Sequence, residues 1–157
     1  MLVRSGVAVL LLACLSACGS SGGKGVAQRG SYKIGAPYKI DGVTYTPQEE
    51  FNHVETGVAS WYGPGLAGRK TTSGEIFNPR ALTAASRALP IGSVVKVTNP
   101  QNGKSVSVRI NDRGPFVPGR SLDLSRRAAE KLGIIHMGVA SVKVTKPSSQ
   151  ADISSDY

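Results

Sequence analysis

Carboxyl groups are the side chains of this sequence best suited to chemistry. The 157-residue chain has two cysteines and two histidines, which is too few for the usual zinc clusters or for a disulfide scaffold. The sequence also lacks a Gly-rich phosphate-binding loop. We therefore expect acid–base chemistry without a metal or another cofactor. Between residues 57 and 146 the acidic residues are Glu75, Asp112, Asp123 and Glu130.

Asp112 is the strongest candidate among these four. It lies at the end of an alternating apolar segment, Val106–Ile110, and is followed by Arg113-Gly114-Pro115. Such a turn can hold a carboxylate at the rim of a groove, beside polar and cationic groups. The alternative is an ion pair with Arg113 or Arg109 that only shapes the loop.

The other carboxylates have plainer interpretations. Glu75 ends the loop sequence Thr71-Thr72-Ser73-Gly74-Glu75 and is either a site residue or a surface residue. Asp123 precedes a helix cap and is expected to fix the helix entrance. Glu130 lies one helical turn from Arg126, which predicts an exposed ion pair.

A general acid that works near neutral pH needs a raised pKa. Neighbouring cations lower the pKa of a carboxyl group, whereas desolvation or a second carboxylate raises it. Approach of Glu75 to Asp112 would supply that second carboxylate.

The elements that must position these residues are mainly β-strands. Val106, Val108 and Ile110 alternate with polar residues, and Val94–Thr98 faces them across a turn that contains Asn102-Gly103. Further strands are expected at 57–62, 81–85 and 140–145. One helix is expected from Arg126 to Leu132, with Ser125 as N-cap and Gly133 as C-cap. About six short strands with one small helix predict a compact β-barrel.

The N-terminus is an export signal. Arg4 precedes the apolar run 7–15, which is too short to span a bilayer. Leu15-Ser16-Ala17-Cys18 resembles a bacterial lipobox, so we expect residues 1–17 to be a signal peptide and Cys18 to carry lipid. The alternative is an ordinary signal peptide with an incidental cysteine. Gly19 after the cysteine fits sorting to the outer membrane, facing the periplasm, more than to the inner membrane.

The remaining chain divides by composition and charge. Residues 18–31 are a Gly/Ser-rich linker. Residues 32–56 are an extended arm with a turn at Asp41-Gly42, packed on the domain through Tyr32, Tyr38, Tyr45 and Phe51. Residues 57–146 form the barrel, and 147–157 are a disordered tail.

All of the excess positive charge belongs to the predicted barrel. The net charge of the chain is +9, and residues 57–146 hold fourteen Lys or Arg against four Asp or Glu. Solvated surface lysines would explain this, but arginines also bind carboxylates in bidentate geometry. Because the chain carries an export signal, we expect an anionic partner other than nucleic acid.

Several segments in order resemble the rare lipoprotein A (RlpA) family, septal lytic transglycosylases with a double-psi β-barrel. The matching segments run from about residue 57 to 145 and include Gly57-Val58-Ala59-Ser60-Trp61-Tyr62-Gly63, Gly68-Arg69-Lys70-Thr71, Ser73-Gly74-Glu75, Leu82-Thr83-Ala84-Ala85, Leu89-Pro90-Ile91-Gly92 and Asn111-Asp112-Arg113-Gly114-Pro115-Phe116.

The resemblance implies a six-stranded double-psi barrel and an endolytic peptidoglycan transglycosylase. Such an enzyme cleaves the β-1,4 bond between N-acetylmuramic acid and N-acetylglucosamine in glycan strands stripped of peptides, and leaves 1,6-anhydro ends. Asp112 then takes the acid/base role and Glu75 a supporting one. Trp61 and Tyr62 would offer an apolar face to sugar rings, although a core tryptophan is an equal alternative. Arg113 is a further candidate for substrate contact.

Two features depart from the family pattern. Ser86 stands where many members have a functional histidine, and serine cannot shuttle a proton near neutral pH. The family's frequent C-terminal peptidoglycan-binding domain is also not recognisable. A catalytically weak or inactive wall-binding lipoprotein is therefore the alternative function, and division-machinery proteins are possible partners.

Overall fold

The computed structural model describes residues 32–48 and 54–148. The predicted signal peptide, the lipidation site Cys18 and the linker to residue 31 lie outside the described residues. So do Phe51 and the tail from residue 149. Within the described ranges, no helix has both the length and the apolar character needed to cross a membrane.

The described chain has eight strands and one helix. In chain order they are β1 (Tyr38–Ile40), β2 (Val43–Tyr45), β3 (Glu55–Trp61), β4 (Thr83–Ser86), β5 (Val94–Thr98), β6 (Ser105–Asp112), β7 (Leu122–Leu124), α1 (Arg126–Leu132) and β8 (Val139–Thr145).

Six of the strands close into a barrel in the order β3-β7-β4-β6-β5-β8. Two neighbouring pairs, β3 with β7 and β4 with β6, run parallel, and the other pairs are antiparallel. A parallel pair needs a crossover connection, so the chain repeatedly crosses the barrel instead of meandering around it. The prediction of a mainly β, six-stranded double-psi barrel with one short helix is confirmed.

The hairpin of β5 and β6 follows the sequence prediction. Val95 pairs with Val108 and Val97 with Val106. The turn reverses at Gly103, whose φ of 70° is readily adopted only by glycine. All four of these valines are buried, and a fully buried valine contributes about 1.5–3 kcal/mol to folding.

Helix α1 has the predicted caps. The Ser125 hydroxyl accepts the amide of Ala128 at 3.2 Å, and Gly133 adopts the left-handed conformation. The buried side chains of Ala128, Ala129 and Leu132 join the barrel core.

One part of this region differs from the prediction. Asp123 was expected to fix the helix entrance, but it lies on β7, where its carboxylate accepts the Ser60 hydroxyl. Ser125 alone caps the helix with its side chain. A three-residue strand is too short for alternation to reveal it in the sequence.

The arm folds into a hairpin and packs on the barrel. Asp41 and Gly42 both have positive φ, as a tight two-residue turn requires. Tyr38 and Tyr45 stack with ring centroids 5.5 Å apart, and both contact Phe116. The turn and the packing through these two tyrosines are confirmed, whereas Tyr32 is 57% exposed.

Candidate active site

The Asp112 carboxylate is held asymmetrically at the end of β6. Its Oδ1 accepts three hydrogen bonds: from the amide of Thr72 at 2.9 Å, the hydroxyl of Thr72 at 2.7 Å and the amide of Arg113 at 2.8 Å. Its Oδ2 accepts one longer bond, from the Tyr62 hydroxyl at 3.2 Å. Oδ2 is therefore the oxygen with free lone pairs for proton exchange.

A short loop brings Thr72 to Asp112. The amide of Ser73 donates to the carbonyl of Asn111 at 3.0 Å, which fixes the loop against the end of β6. Thr71 and Glu75 close the loop through a bond of 2.8 Å between the Thr71 amide and the Glu75 carbonyl. The loop thus places the amide and the hydroxyl of Thr72 where both donate to Asp112.

Glu75 forms an ion pair with an arginine and does not approach the Asp112 carboxylate. Its two carboxylate oxygens accept the two terminal nitrogens of Arg109 at 2.7 and 2.8 Å. Asn111 adds an amide donor at 3.2 Å. The hydrogen bonds from Arg109 hold the pKa of Glu75 below its ordinary value, against the opposing effect of burial. Within the described chain, no hydrogen bond joins the Glu75 and Asp112 carboxylates, so Glu75 is bound to a cation and does not share a proton with Asp112.

The predicted alternative for Asp112, an ion pair with Arg109 or Arg113, is also not what the structure contains. Arg109 pairs with Glu75. The Arg113 guanidinium donates to backbone carbonyls, those of Ser86 at 3.1 Å, Leu89, and Ile34 at 3.0 Å. Arg113 therefore joins the arm to the barrel, and only its backbone amide contacts the Asp112 carboxylate.

Trp61 and Tyr62 are adjacent in the sequence but make different contacts. Trp61 is half-buried and packs against the core. Tyr62 packs its ring edge-on against Phe77, with centroids 4.9 Å apart, and directs its hydroxyl to Asp112. Burial, and then the charge of Asp112, raises the pKa of Tyr62, so this phenol stays protonated and remains a donor.

Ser86 is buried, and its hydroxyl group forms hydrogen bonds with the backbone. Its hydroxyl accepts the amides of Ala88 at 3.3 Å and Leu89 at 3.1 Å, which shapes the turn after β4. Its carbonyl accepts Arg113. The position that carries histidine in many family members thus has a structural hydroxyl here.

Among the described residues, no group of three or more His, Cys, Asp and Glu side chains lies together in a way that could hold a metal ion.

Sequence reasoning missed Thr72, Arg109 and Asn111 as site residues. Thr72 and Asp112 are 40 positions apart, and their segments meet in the fold through the backbone hydrogen bond from Ser73 to Asn111. The polar loop Thr71–Glu75 was the one available signal, since hydroxyl groups there had no packing periodicity to explain them.

Comparisons with known proteins agree with this architecture. A family model described as lytic transglycolase matches residues 54–144. The endolytic peptidoglycan transglycosylase RlpA of Rickettsia bellii is 50% identical over 119 residues, which are 74% of this chain and 52% of that protein. RlpA of Rickettsia felis is 41% identical over 155 residues, 86% of this chain and 68% of that protein.

RlpA of Neisseria meningitidis is 52% identical over 108 residues, 68% of this chain and 45% of that protein. This chain thus spans between about half and two thirds of the length of these relatives. The matched segment includes all six barrel strands except the last residue of β8. The chain therefore belongs to the rare lipoprotein A (RlpA) family of lytic transglycolases.

Proposed function

We propose that this chain is an endolytic peptidoglycan lytic transglycosylase. It would cleave the β-1,4 bond between N-acetylmuramic acid and N-acetylglucosamine in peptide-free glycan strands, during wall remodelling and daughter-cell separation. The observation that carries the proposal is the asymmetric environment of Asp112: among the described residues, three donors bond to Oδ1 and the Tyr62 hydroxyl alone bonds to Oδ2. Membership of the family supports the substrate class.

The proposed reaction uses one carboxyl group twice. Protonated Asp112 donates its proton from Oδ2 to the glycosidic oxygen, and the bond from that oxygen to the muramyl C1 breaks. The carboxylate then takes the proton of the muramyl 6-hydroxyl as this oxygen bonds to C1. The proton is returned to Asp112, the product is a 1,6-anhydro sugar, and no water is consumed.

Glu75 acts in this scheme as a positioning residue. Its bidentate pair with Arg109 connects the end of the Thr71–Glu75 loop to β6, and the same loop presents Thr72 to Asp112. A loop fixed at both ends holds a carboxylate in place with little reorganisation during the reaction.

The test is to identify the products that form when the reaction is run in isotopically labelled water. The full chain, purified in mild detergent, is incubated with peptide-free glycan and the products are examined by mass spectrometry. We expect anhydromuramyl ends that contain no label. Labelled reducing ends would indicate hydrolysis, and an absence of new ends would contradict the proposed activity.

A second candidate function is supported by Ser86. Because its buried hydroxyl is bound to backbone amides, this position has no group that exchanges a proton near neutral pH. A wall-binding lipoprotein without turnover would fit that feature and the cationic barrel. It predicts salt-sensitive pelleting with peptidoglycan and no anhydromuramyl product.

We also propose that Cys18 is lipidated and anchors the chain to the outer membrane, facing the periplasm, where division proteins are possible partners. The lipobox-like residues 15–18 and Gly19 support this. Labelling with radioactive palmitate should be lost in Cys18→Ala. In membrane fractionation, Gly19→Asp should move the protein to the inner membrane, and an unchanged distribution would contradict the sorting proposal.

A further inference from the structure

A cleft of 490 Å³ lies between the arm and the barrel, next to the candidate active site. The arm contributes one wall and the loops near Asp112 contribute the other. The residues that matter here are Lys33, Tyr38 and Ile40 from the arm, and Thr72, Arg113 and Phe116 from the barrel. Since Thr72 also holds the Asp112 carboxylate, a ligand in this cleft would continue directly into the site of bond cleavage.

The arm wall is preformed. Lys33 and Ile91 exchange two backbone hydrogen bonds of 2.8 Å. The Tyr38 hydroxyl donates to the carbonyl of Arg87 at 2.9 Å, and the Gln48 amide donates to the carbonyl of Ala88 at 2.9 Å. These contacts hold the arm in place at both ends of the hairpin, so ligand binding would require little further ordering of the arm.

The surface of the cleft combines apolar faces with positive charge. The rings of Tyr38 and Phe116 meet edge-on at 6.3 Å, and Phe116 remains 38% exposed. The ionised side chains among the lining residues are Lys33 and Arg113, and no lining residue is acidic. Arg113 is occupied by backbone carbonyls, whereas Lys33 is exposed and pairs with no carboxylate within the described chain.

We propose that this cleft is a subsite for a carboxylate-bearing sugar of the glycan strand, with the sugar ring against the exposed ring of Phe116 and its lactyl carboxylate bound by Lys33. The inference rests on the proposed function for the identity of the strand. It assigns substrate recognition to the arm, which lies outside the segment matched by the family model. The arm would then help select strands stripped of peptide, because a peptide on the lactyl group removes the carboxylate.

The experiment separates recognition from turnover. The full chain with Asp112→Asn binds its ligand without cleaving it, and calorimetry measures its affinity for two probes. One is the peptide-free tetrasaccharide of alternating N-acetylglucosamine and N-acetylmuramic acid, and the other is neutral chitotetraose. Lys33→Met is compared with Lys39→Met, which removes the same charge from an exposed residue of the same arm that does not line the cleft.

We expect Lys33→Met to weaken binding of the muramyl tetrasaccharide about two- to fivefold, the effect of a partly exposed charge contact. Its affinity for chitotetraose should be unchanged, and Lys39→Met should match the parent with both probes. Unchanged tetrasaccharide binding in Lys33→Met, or an equal loss with both probes, would overturn the subsite. Neither result depends on anhydromuramyl product formation by the wild-type chain, which tests the proposed function separately.

Discussion

Thr72 donates twice to the same oxygen of Asp112, through its amide at 2.9 Å and its hydroxyl at 2.7 Å. The two residues are brought together by tertiary structure alone, since the loop of Thr72 and the end of β6 are distant in sequence. This contact fixes the orientation of the carboxylate and leaves Oδ2 as the oxygen to which the proposed mechanism assigns proton transfer.

Thr72→Val is expected to reduce activity in a protein that remains folded. The substitution keeps the shape and the backbone amide but removes the hydroxyl donor from an exposed residue. A hydrogen bond to a charged group contributes about 1.5–3 kcal/mol, so the rate of anhydromuramyl formation should fall about 10- to 100-fold. Thr72→Ser restores the hydroxyl and should recover most of the rate. Equal rates for the valine and serine variants would refute a positioning role.

Tyr62 is expected to remain protonated at alkaline pH. Burial and the charges of Asp112 and Asp123 raise its pKa above the ordinary value of 10.0. Because a raised pKa favours the protonated form, the bond to Asp112 persists as the pH rises through that value. Tyrosinate absorbance at about pH 11 should therefore be the same in Tyr62→Phe and in the wild type. A decrease equal to one tyrosine in the variant would show that Tyr62 ionises normally.

The Glu75–Arg109 pair should make stability depend on pH in a defined direction. The pKa of Glu75 is lowered from 4.5, so the stabilisation is complete above that pH and is lost as the pH falls through the lowered value. At pH 7, which is well above this window, the free energy of unfolding of Glu75→Gln should be about 1–3 kcal/mol lower than that of the wild type. The difference should shrink in acid, measured by denaturant unfolding across the pH range.

Glu130→Gln is the matched control for this prediction. Glu130 pairs with Arg126 at 2.9 Å, but the two side chains are 39% and 64% exposed. Exposed pairs contribute about 0–1 kcal/mol, so this variant should unfold like the wild type at every pH. If both variants lost the same stability, the half-buried position of the Glu75 pair would have no special importance.

Gly57 is expected to be intolerant of a side chain, and Gly63 is not. A Cβ at Gly57 would lie only 2.7 Å from the Cβ of Ser121, the residue that precedes β7 and lies beside β3, whereas a Cβ at Gly63 meets nothing within 4 Å. Overpacking of this kind costs about 1–3 kcal/mol. Thermal unfolding should show a loss for Gly57→Ala, near wild-type behaviour for Gly63→Ala, and recovery when Ser121→Gly is added to Gly57→Ala.

The sequence predicted those parts of the fold that depend on local patterns. The alternating valines of β5 and β6, the Asn-Gly turn between them and the caps of α1 are encoded within short segments, and all are observed. The exposed pair of Arg126 and Glu130 is likewise a neighbour relationship on one helix.

The site was predicted less completely because its contacts join distant segments. Arginines beside Asp112 in the sequence suggested an ion pair, but the barrel directs Arg109 to Glu75 and Arg113 to backbone carbonyls. Strand alternation places neighbouring residues on opposite faces, so adjacency in a strand does not establish contact. Asp112 could be selected from its motif, whereas the sequence marked Thr72 only through the hydroxyl groups of its loop and did not predict the contact with Asp112.

The most direct test of the account is the initial rate of anhydromuramyl product formation by Asp112→Asn, compared with Glu130→Gln as an exposed carboxylate control. Removal of a general acid/base group typically costs about 10²–10⁴ in rate. We therefore predict a loss of at least about a hundredfold for Asp112→Asn, in a variant that remains folded, and a wild-type rate for Glu130→Gln. An Asp112→Asn protein that forms product at the wild-type rate would contradict the assignment of Asp112 as the proton-transfer group.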